Sequence, residues 1–249
     1  MGLLQICFIT IIPFIGLYLI FRLLLLVFER IHYSFLQSSI IVLATIVLSF
    51  EPLILGLNVS TIPLFSFHNW AVGLHSVGLI LPLIVVVLCL RKSHIVFSQL
   101  FFGIIAVTAT SYFVTIPIPE KGIVSTFPFF LFPSFIAALV AFLSIQDEHD
   151  VQNAVVLSYV TSIIGVFIGA DLLHLPSLLL SDVSVPMQAV IGGAAALDLI
   201  YLSGVVSVLF FTFLHIIMVH VTDFERKLIQ TYMHLHHSVS YTHLTLPTN

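Results

Sequence analysis

The chain has 249 residues, of which 60% are hydrophobic and only 7% are charged, with a formal net charge of −4. A soluble domain carries about 25% charged residues, so this composition excludes a water-soluble globular protein. The apolar runs reach the roughly 20 residues that a helix needs to cross a bilayer, which predicts a polytopic integral membrane protein. Because no basic patch occurs in the sequence, nucleic acid is not expected as a partner.

The predicted fold class is all-α, a polytopic transmembrane helix bundle of about seven spans. Trp70 is placed at the start of the third helix as an interfacial anchor. Residues 188–221 would measure about 50 Å as one helix, against a hydrocarbon core of about 30 Å, so a bend or a re-entrant segment is expected near residues 192–196. Six or eight spans are the alternatives. The helices are predicted at residues 3–28, 35–57, 70–90, 95–115, 123–145, 151–175 and 197–221.

Prolines and glycines indicate where these helices break. Pro117 and Pro119 form a rigid turn between the fourth and fifth helices. Pro52 removes a backbone donor from the second helix, which predicts a kink or a break there. Gly192 and Gly193 provide the backbone freedom for the bend before the seventh helix.

Small residues recur at every fourth position of the sixth helix, at Thr161, Gly165 and Gly169. Such spacing lets a second helix approach closely, so we expect a helix–helix contact along this face. Asp171 lies roughly 200° around the helix from Gly169 and is expected to face away from that contact.

Basic residues favour one orientation in a cell membrane. With the N-terminus outside and the C-terminus cytoplasmic, the cytoplasmic segments hold most of the cations and the outside keeps Lys121. This asymmetry follows the positive-inside rule. The cytoplasmic cations are then Arg30, Arg91, Lys92, Arg226 and Lys227.

Five polar side chains are predicted to lie in the outer half of the membrane and are candidates for binding a solute or an ion: Asp171, Asp198, His174, Glu51 and His75. A carboxylate in lipid costs about 2.5 to 3.5 kcal/mol, so such residues usually pair, face the bundle interior or line a cavity. Whether these five side chains meet does not follow from their spacing.

Each candidate also has a structural interpretation. Asp198 falls in the first turn of the seventh helix, where an acid caps the N-terminus. Asp171 opposes the dipole at a helix C-terminus, and His174 on the same face would offset it when protonated. An isolated His75 is more typical of a core histidine with satisfied hydrogen bonds than of a ligand. Glu51 is an interfacial loop residue if the second helix ends early.

No metal, cofactor or disulfide is predicted. Cys7 and Cys89 lie in apolar runs and are interpreted as small buried hydrophobic residues. The C-terminal histidines match no strong ligand spacing. Residues 1–237 are predicted to form a single membrane domain, while residues 238–249 resemble a translated sequencing adapter and are excluded from the functional argument.

Two motifs carry a family resemblance. Residues 169–175 read Gly-Ala-Asp-Leu-Leu-His-Leu, and residues 191–204 read Ile-Gly-Gly-Ala-Ala-Ala-Leu-Asp-Leu-Ile-Tyr-Leu-Ser-Gly. In these stretches the chain resembles the prokaryotic membrane family catalogued as domain of unknown function 1614. That family shows Gly-Ala-Asp-Leu-Leu-x-Leu and Ile-Gly-Gly-Ala-Gly-Thr-Phe-Asp-Gly-Ile-Phe-Leu-Thr-Gly. The resemblance implies a helical membrane fold and no particular activity.

The chain departs from the family pattern at several positions. Ala195, Ala196 and Leu199 stand where the family has Gly, Thr and Gly, so the second motif lacks a hydroxyl and some backbone freedom. Ile116 stands where an arginine usually precedes the Pro-x-Pro turn of the family. These differences indicate a divergent member or an altered site.

Three functions compete on these observations. Broken helices and intramembrane acids are typical of ion-coupled carriers, so the first hypothesis is a small-solute or ion transporter-like protein, without catalytic residues, in which Asp171 and Asp198 bind a proton or cation. The alternative is a non-catalytic membrane scaffold whose acids fix helix packing. An intramembrane aspartyl protease is less favoured, because Ala170 and Leu197 precede the two aspartates where that class has Gly-x-Gly-Asp and Tyr-Asp signatures.

Overall fold

The computed structural model describes residues 3–49, 53–54, 57–58, 60–119, 121–147 and 150–240. The predicted positions Glu51 and Pro52, and residues 241–249 of the tail, lie outside them. The described α-helices are α1 (Leu3–Arg30), α2 (Phe35–Ser49), α3 (Leu81–Lys92), α4 (Phe97–Val114), α5 (Phe132–Leu143), α6 (Val151–Val166), α7 (Leu175–Leu179) and α8 (Leu199–Ser240).

The described secondary structure also includes short strands, two π-helical turns and 3₁₀ turns at Phe129–Leu131 and Ala195–Leu197. The π-helical turns are π1 (Ser76–Ile80), which runs into α3, and π2 (Phe167–Leu172), which continues α6. The strands are β1 (Leu53–Ile54), β2 (Leu57–Asn58), β3 (Thr61–Phe67), β4 (Trp70–His75), β5 (Thr115–Ile118), β6 (Gly122–Ser125) and β7 (Met187–Ile191).

Long apolar helices make this an integral membrane protein. Large apolar side chains of these helices point outward, including Phe14 at 73% and Phe113 at 81% exposure, as expected for surfaces solvated by lipid. The all-α membrane bundle predicted from composition is therefore confirmed. Among the described residues, four helical stretches are long and apolar enough to cross a bilayer: Ile12–Arg30, Phe97–Val114, Val151–Leu179 and Leu199–Gln230.

The chain forms two compact units, Met1–Phe211 and Thr212–Asn249. In its described part, the second unit is the C-terminal portion of α8, up to Ser240. The first unit contains the other helices and the sheets. Within it, α6 is buried on all sides from Ala154 to Ile163, which makes α6 the central helix of this bundle.

Small residues let α4 pack closely against α6 and π2. A Cβ atom built on Gly165 would lie 2.6 Å from the Cβ atom of Val107, and one built on Gly103 would lie 2.6 Å from Cγ2 of Thr161. Gly169 likewise has no room for a side chain beside the Thr108 carbonyl. The predicted small-residue contact is confirmed, and its partner is α4.

A three-stranded sheet lies where the sequence predicted helix. β3 and β4 form an antiparallel hairpin, and β4 pairs in parallel with β7, Trp70 opposite Met187 and Leu74 opposite Ile191. The prediction that Trp70 opens a helix is therefore wrong, since helical structure begins only at Ser76. A short apolar run suits either a buried strand or a helix, and here the pairing with β7 decides in favour of the strand.

The two predicted turns hold, with more extended structure around them than expected. Pro117 and Pro119 lie in the hairpin formed by β5 and β6, with Gly122 at φ +82°. The fifth helix consequently begins at Phe132 and not at residue 123. After β7, Gly192 turns the chain at φ +76°, so residues 188–221 bend as predicted.

Candidate functional site

Two π-helical turns lie at the end of the bundle that carries the β4–β7 sheet. In π2 the amide of Leu173 donates to the carbonyl of Ile168 over 3.0 Å, a wider turn than an α-helix makes. The π1 turn follows β4 directly. Single π-turns are rare and occur often at functional sites, and π2 contains the Gly-Ala-Asp motif identified in the sequence.

Asp171 and Asp198 line the same two cavities. The first cavity has a volume of about 410 Å³ and the second about 340 Å³, and both aspartates contribute to the walls of each. The structure therefore brings together the two acids that the sequence could not connect. The first cavity is also bordered by Trp70, Lys121, Met187 and Gln188. The second is also bordered by Thr115, Ser125, Phe130 and Leu197.

Asp198 is held by backbone amides at the start of α8. The Ile200 amide donates to Asp198 Oδ1 over 3.0 Å, and the Ala194 amide donates to Oδ2 over 3.3 Å. Asp198 has an extended backbone, and its carbonyl accepts from the Leu202 amide over 2.9 Å. It therefore caps the N-terminus of α8, where the helix dipole also favours an anion, as the structural interpretation of this residue predicted.

The carboxylate of Asp171 has a different environment from that of Asp198. It lies in π2 and is partly buried, yet no residue in the described part of the chain donates a hydrogen bond to its carboxylate. Its side chain lines both cavities. Gly169, two residues earlier, packs against α4, so the predicted division between a packing face and a polar face is present. Asp171 thus borders both cavities without a hydrogen-bond donor among the described residues.

His174 lies away from the cavity walls. Its Nε2 atom is 3.2 Å from the carbonyl oxygen of Tyr112, and its ring stacks on the Tyr112 ring at 4.6 Å between centroids. The prediction placed His174 on the same face as Asp171 by α-helical spacing. The π-turn between them winds more slowly than an α-helix, so residues three apart no longer share a face. His174 instead joins the end of the sixth helix to α4.

His75 is a buried helix cap, 3% exposed. Its Nδ1 atom accepts hydrogen bonds from the amides of Val77, over 3.2 Å, and Gly78, over 3.3 Å. These bonds fit the interpretation of His75 as a core histidine with satisfied hydrogen bonds. His75 is the residue directly before π1, and it does not line either of the two cavities. Glu51, the remaining candidate, falls outside the described residues.

A contact between two glycines lies beside the loop that carries Asp198 and does not follow from the sequence. A Cβ atom built on Gly192 would lie 2.8 Å from the carbonyl carbon of Gly78 and 2.8 Å from the amide nitrogen of Leu79. The turn after β7 therefore packs directly against the π1 backbone, next to the loop that carries Asp198. Gly193, the second glycine of the motif, borders the first cavity. Gly78 belongs to no recognisable spacing, so only the fold reveals its role.

Lys121 and Gln188 were also missed as site residues. The sequence indicates Lys121 only as the one basic residue on the outer side, and Gln188 only as part of an apolar run. Both border the first cavity with the two acids. In the described part of the chain, no three His, Cys, Asp or Glu side chains cluster as metal ligands would.

Two carboxylates lie close together in this helical membrane bundle, one on a π-turn and one after a glycine turn. The fold and the site together are those of an integral membrane protein with a polar site in apolar surroundings. The chain belongs to the family described as Protein of unknown function (DUF1614), whose model matches residues 52–210. The resemblance seen in the two sequence motifs is thus confirmed, and both aspartates lie inside the matched region. No curated protein and no solved structure matches the chain.

Proposed function

We propose that the protein is a small-solute or ion transporter-like membrane protein in which Asp171 binds a proton or a cation. The observation that carries this proposal is the Asp171 carboxylate, which lines two cavities and accepts no hydrogen bond from the described residues. An acid in an apolar frame costs about 2.5 to 3.5 kcal/mol on insertion scales. A proton or a bound cation offsets that cost, and no packing role explains the acid otherwise.

The surrounding backbone resembles the sites of secondary transporters in its construction. Such sites are built where helices are interrupted near a polar cavity, with helix ends directed at the ligand. Here α6 gives way to π2, which contains Asp171, and α8 begins directly after Asp198, which follows the turn at Gly192. Irregular backbone is tolerated at membrane depth when it lines such a cavity.

Infrared difference spectroscopy on the purified full chain tests ion binding at Asp171. A change from choline to Na⁺, or a pH step, is expected to shift a carboxyl band that Asp171→Asn removes. The matched control is Asp147→Asn, because Asp147 is an exposed acid in the loop after α5. The proposal fails if no carboxyl band responds, or if the responding band survives in Asp171→Asn.

A non-catalytic scaffold is the second candidate, and one observation favours it. Asp198 receives two backbone amide hydrogen bonds, which is a sufficient structural use for that acid. A scaffold needs no ion, so under this alternative the spectra of wild type and Asp171→Asn are the same after ion exchange.

We also propose that the bundle end opposite the cavities faces the cytoplasm of a cell-membrane protein. The ammonium of Lys92 lies 4.9 Å from the centre of the Tyr33 ring, so the loops after α1 and α3 share one end. Arg30 and Arg91 flank these loops, which makes this end basic, as the positive-inside rule expects of a cytoplasmic face. Labelling of Ser93→Cys and Asp182→Cys by a membrane-impermeant maleimide in intact cells tests it. Only the second is expected to react.

A further inference from the structure

The first cavity carries charges of both signs. Asp171, Asp198 and Lys121 are among the residues that line the same space of about 410 Å³, so two acidic residues and one basic residue border it. The second cavity shares the two acids and adds the hydroxyls of Thr115 and Ser125, but no described lysine or arginine borders it. The two cavities therefore differ in the ligand that they favour, and Lys121 is the source of the difference.

The β5–β6 hairpin fixes the backbone of Lys121. Its amide donates to the carbonyl of Ile118 over 3.0 Å, which closes the turn, and Gly122 follows at φ +82°. On another wall, Trp70 is buried and its indole nitrogen donates to the Ser181 carbonyl over 3.4 Å. The backbone of Lys121 and the apolar wall thus have defined positions at the edge of the cavity.

We propose that the first cavity binds a small zwitterionic solute, with the ammonium group of the solute at Asp171 and Asp198 and its carboxylate at Lys121. This inference rests on the transporter-like function proposed above. A plain organic cation is repelled by Lys121, and a plain anion is repelled by the two aspartates, whereas a zwitterion forms charge-assisted hydrogen bonds at both ends. The cavity volume is within the range of small-molecule sites, about 300 to 1,000 Å³.

The test uses matched solutes that differ only in charge. Full-length protein in detergent is titrated with ω-amino acids of two to six carbons. Each amino acid is compared with the amine and with the carboxylic acid of the same chain length. Binding is followed through the fluorescence of Trp70, the single tryptophan of the chain, which borders the cavity. The variants are Lys121→Met, which removes the charge and keeps most of the length of the side chain, and Lys227→Met, a control in the second unit.

Wild type and Lys227→Met are expected to bind at least one ω-amino acid about tenfold more tightly than the matching amine. In Lys121→Met this preference disappears while the amine still binds, and the melting temperature is unchanged. The zwitterion inference is overturned if wild type binds amines as well as amino acids, or if Lys121→Met keeps the preference. The zwitterion inference is also overturned if nothing binds wild type, whereas amine binding in Asp171→Asn equal to that of wild type contradicts the proposed function itself.

Discussion

Gly78 and Gly192 pack backbone against backbone, and this contact joins π1, which precedes α3, to the turn before α8. Neither position has room for a side chain, because the nearest atoms belong to the main chain of the other segment. The contact extends the parallel pairing of β4 with β7, whose last pair is Leu74 with Ile191. It thereby holds the loop that carries Asp198 against a rigid part of the bundle.

Adding one methyl group at this contact is expected to destabilise the protein. In Gly78→Ala, the new Cβ atom would lie 2.8 Å from the Cα atom of Gly192, so the backbone must shift. Overpacking of this kind costs about 1 to 3 kcal/mol, which lowers the melting temperature in detergent. Gly16→Ala is the control, since a Cβ atom there meets nothing within 4 Å. Equal melting temperatures for the two variants would show that the contact is loose.

The capping role of Asp198 can be separated from its charge. Asp198→Ala removes the acceptor of the Ile200 and Ala194 amides and is expected to cost about 1 kcal/mol. Asp198→Asn keeps an oxygen acceptor, so its stability should stay within a few tenths of a kcal/mol of wild type. Thermal unfolding of both variants measures this. A loss of stability in Asp198→Asn equal to that in Asp198→Ala would mean that the charge, and not the cap, stabilises the turn.

Asp171 is expected to show the opposite behaviour. Since no described donor loses a partner when this carboxylate is removed, Asp171→Asn should be at least as stable as wild type. The same variant should lose the ion response described above. Thermal unfolding and infrared spectra on one preparation test both parts. A destabilisation of about 2 kcal/mol or more in Asp171→Asn would instead assign the acid a structural role.

Ala195 occupies a backbone conformation that suits glycine. Its φ of +55° lies in the left-handed region, where a Cβ atom costs roughly 1 to 2 kcal/mol. The family pattern has glycine at this position, and the positive φ is the physical reason why glycine is favoured there. Ala195→Gly is therefore expected to stabilise the chain by up to about 1 kcal/mol, because relief of strain outweighs the added freedom of the unfolded chain. Ala194→Gly is a suitable comparison, since Ala194 has φ −82° and should gain nothing.

Some site residues could be predicted from the sequence because their chemistry is local. Asp171 and Asp198 are conspicuous since charges are rare in apolar runs, and Gly192 since a glycine pair interrupts an overlong helix. The end-of-helix position of Asp198 also follows from local rules. Lys121 and Gly78 could not be identified in this way, because their importance arises only from neighbours that are distant in the chain.

By itself, the sequence determined that this protein is a helical membrane bundle, since the length and apolarity of a span are properties of one continuous segment. It also determined the turns at Pro117 and Gly192, which depend on the backbone preferences of single residues. The tertiary structure decided that Trp70 begins a strand, because β7 supplies the hydrogen-bonding partner. It also decided that the two aspartates share their cavities, because that depends on long-range backbone packing, such as that of Gly78 on Gly192, which no local pattern encodes.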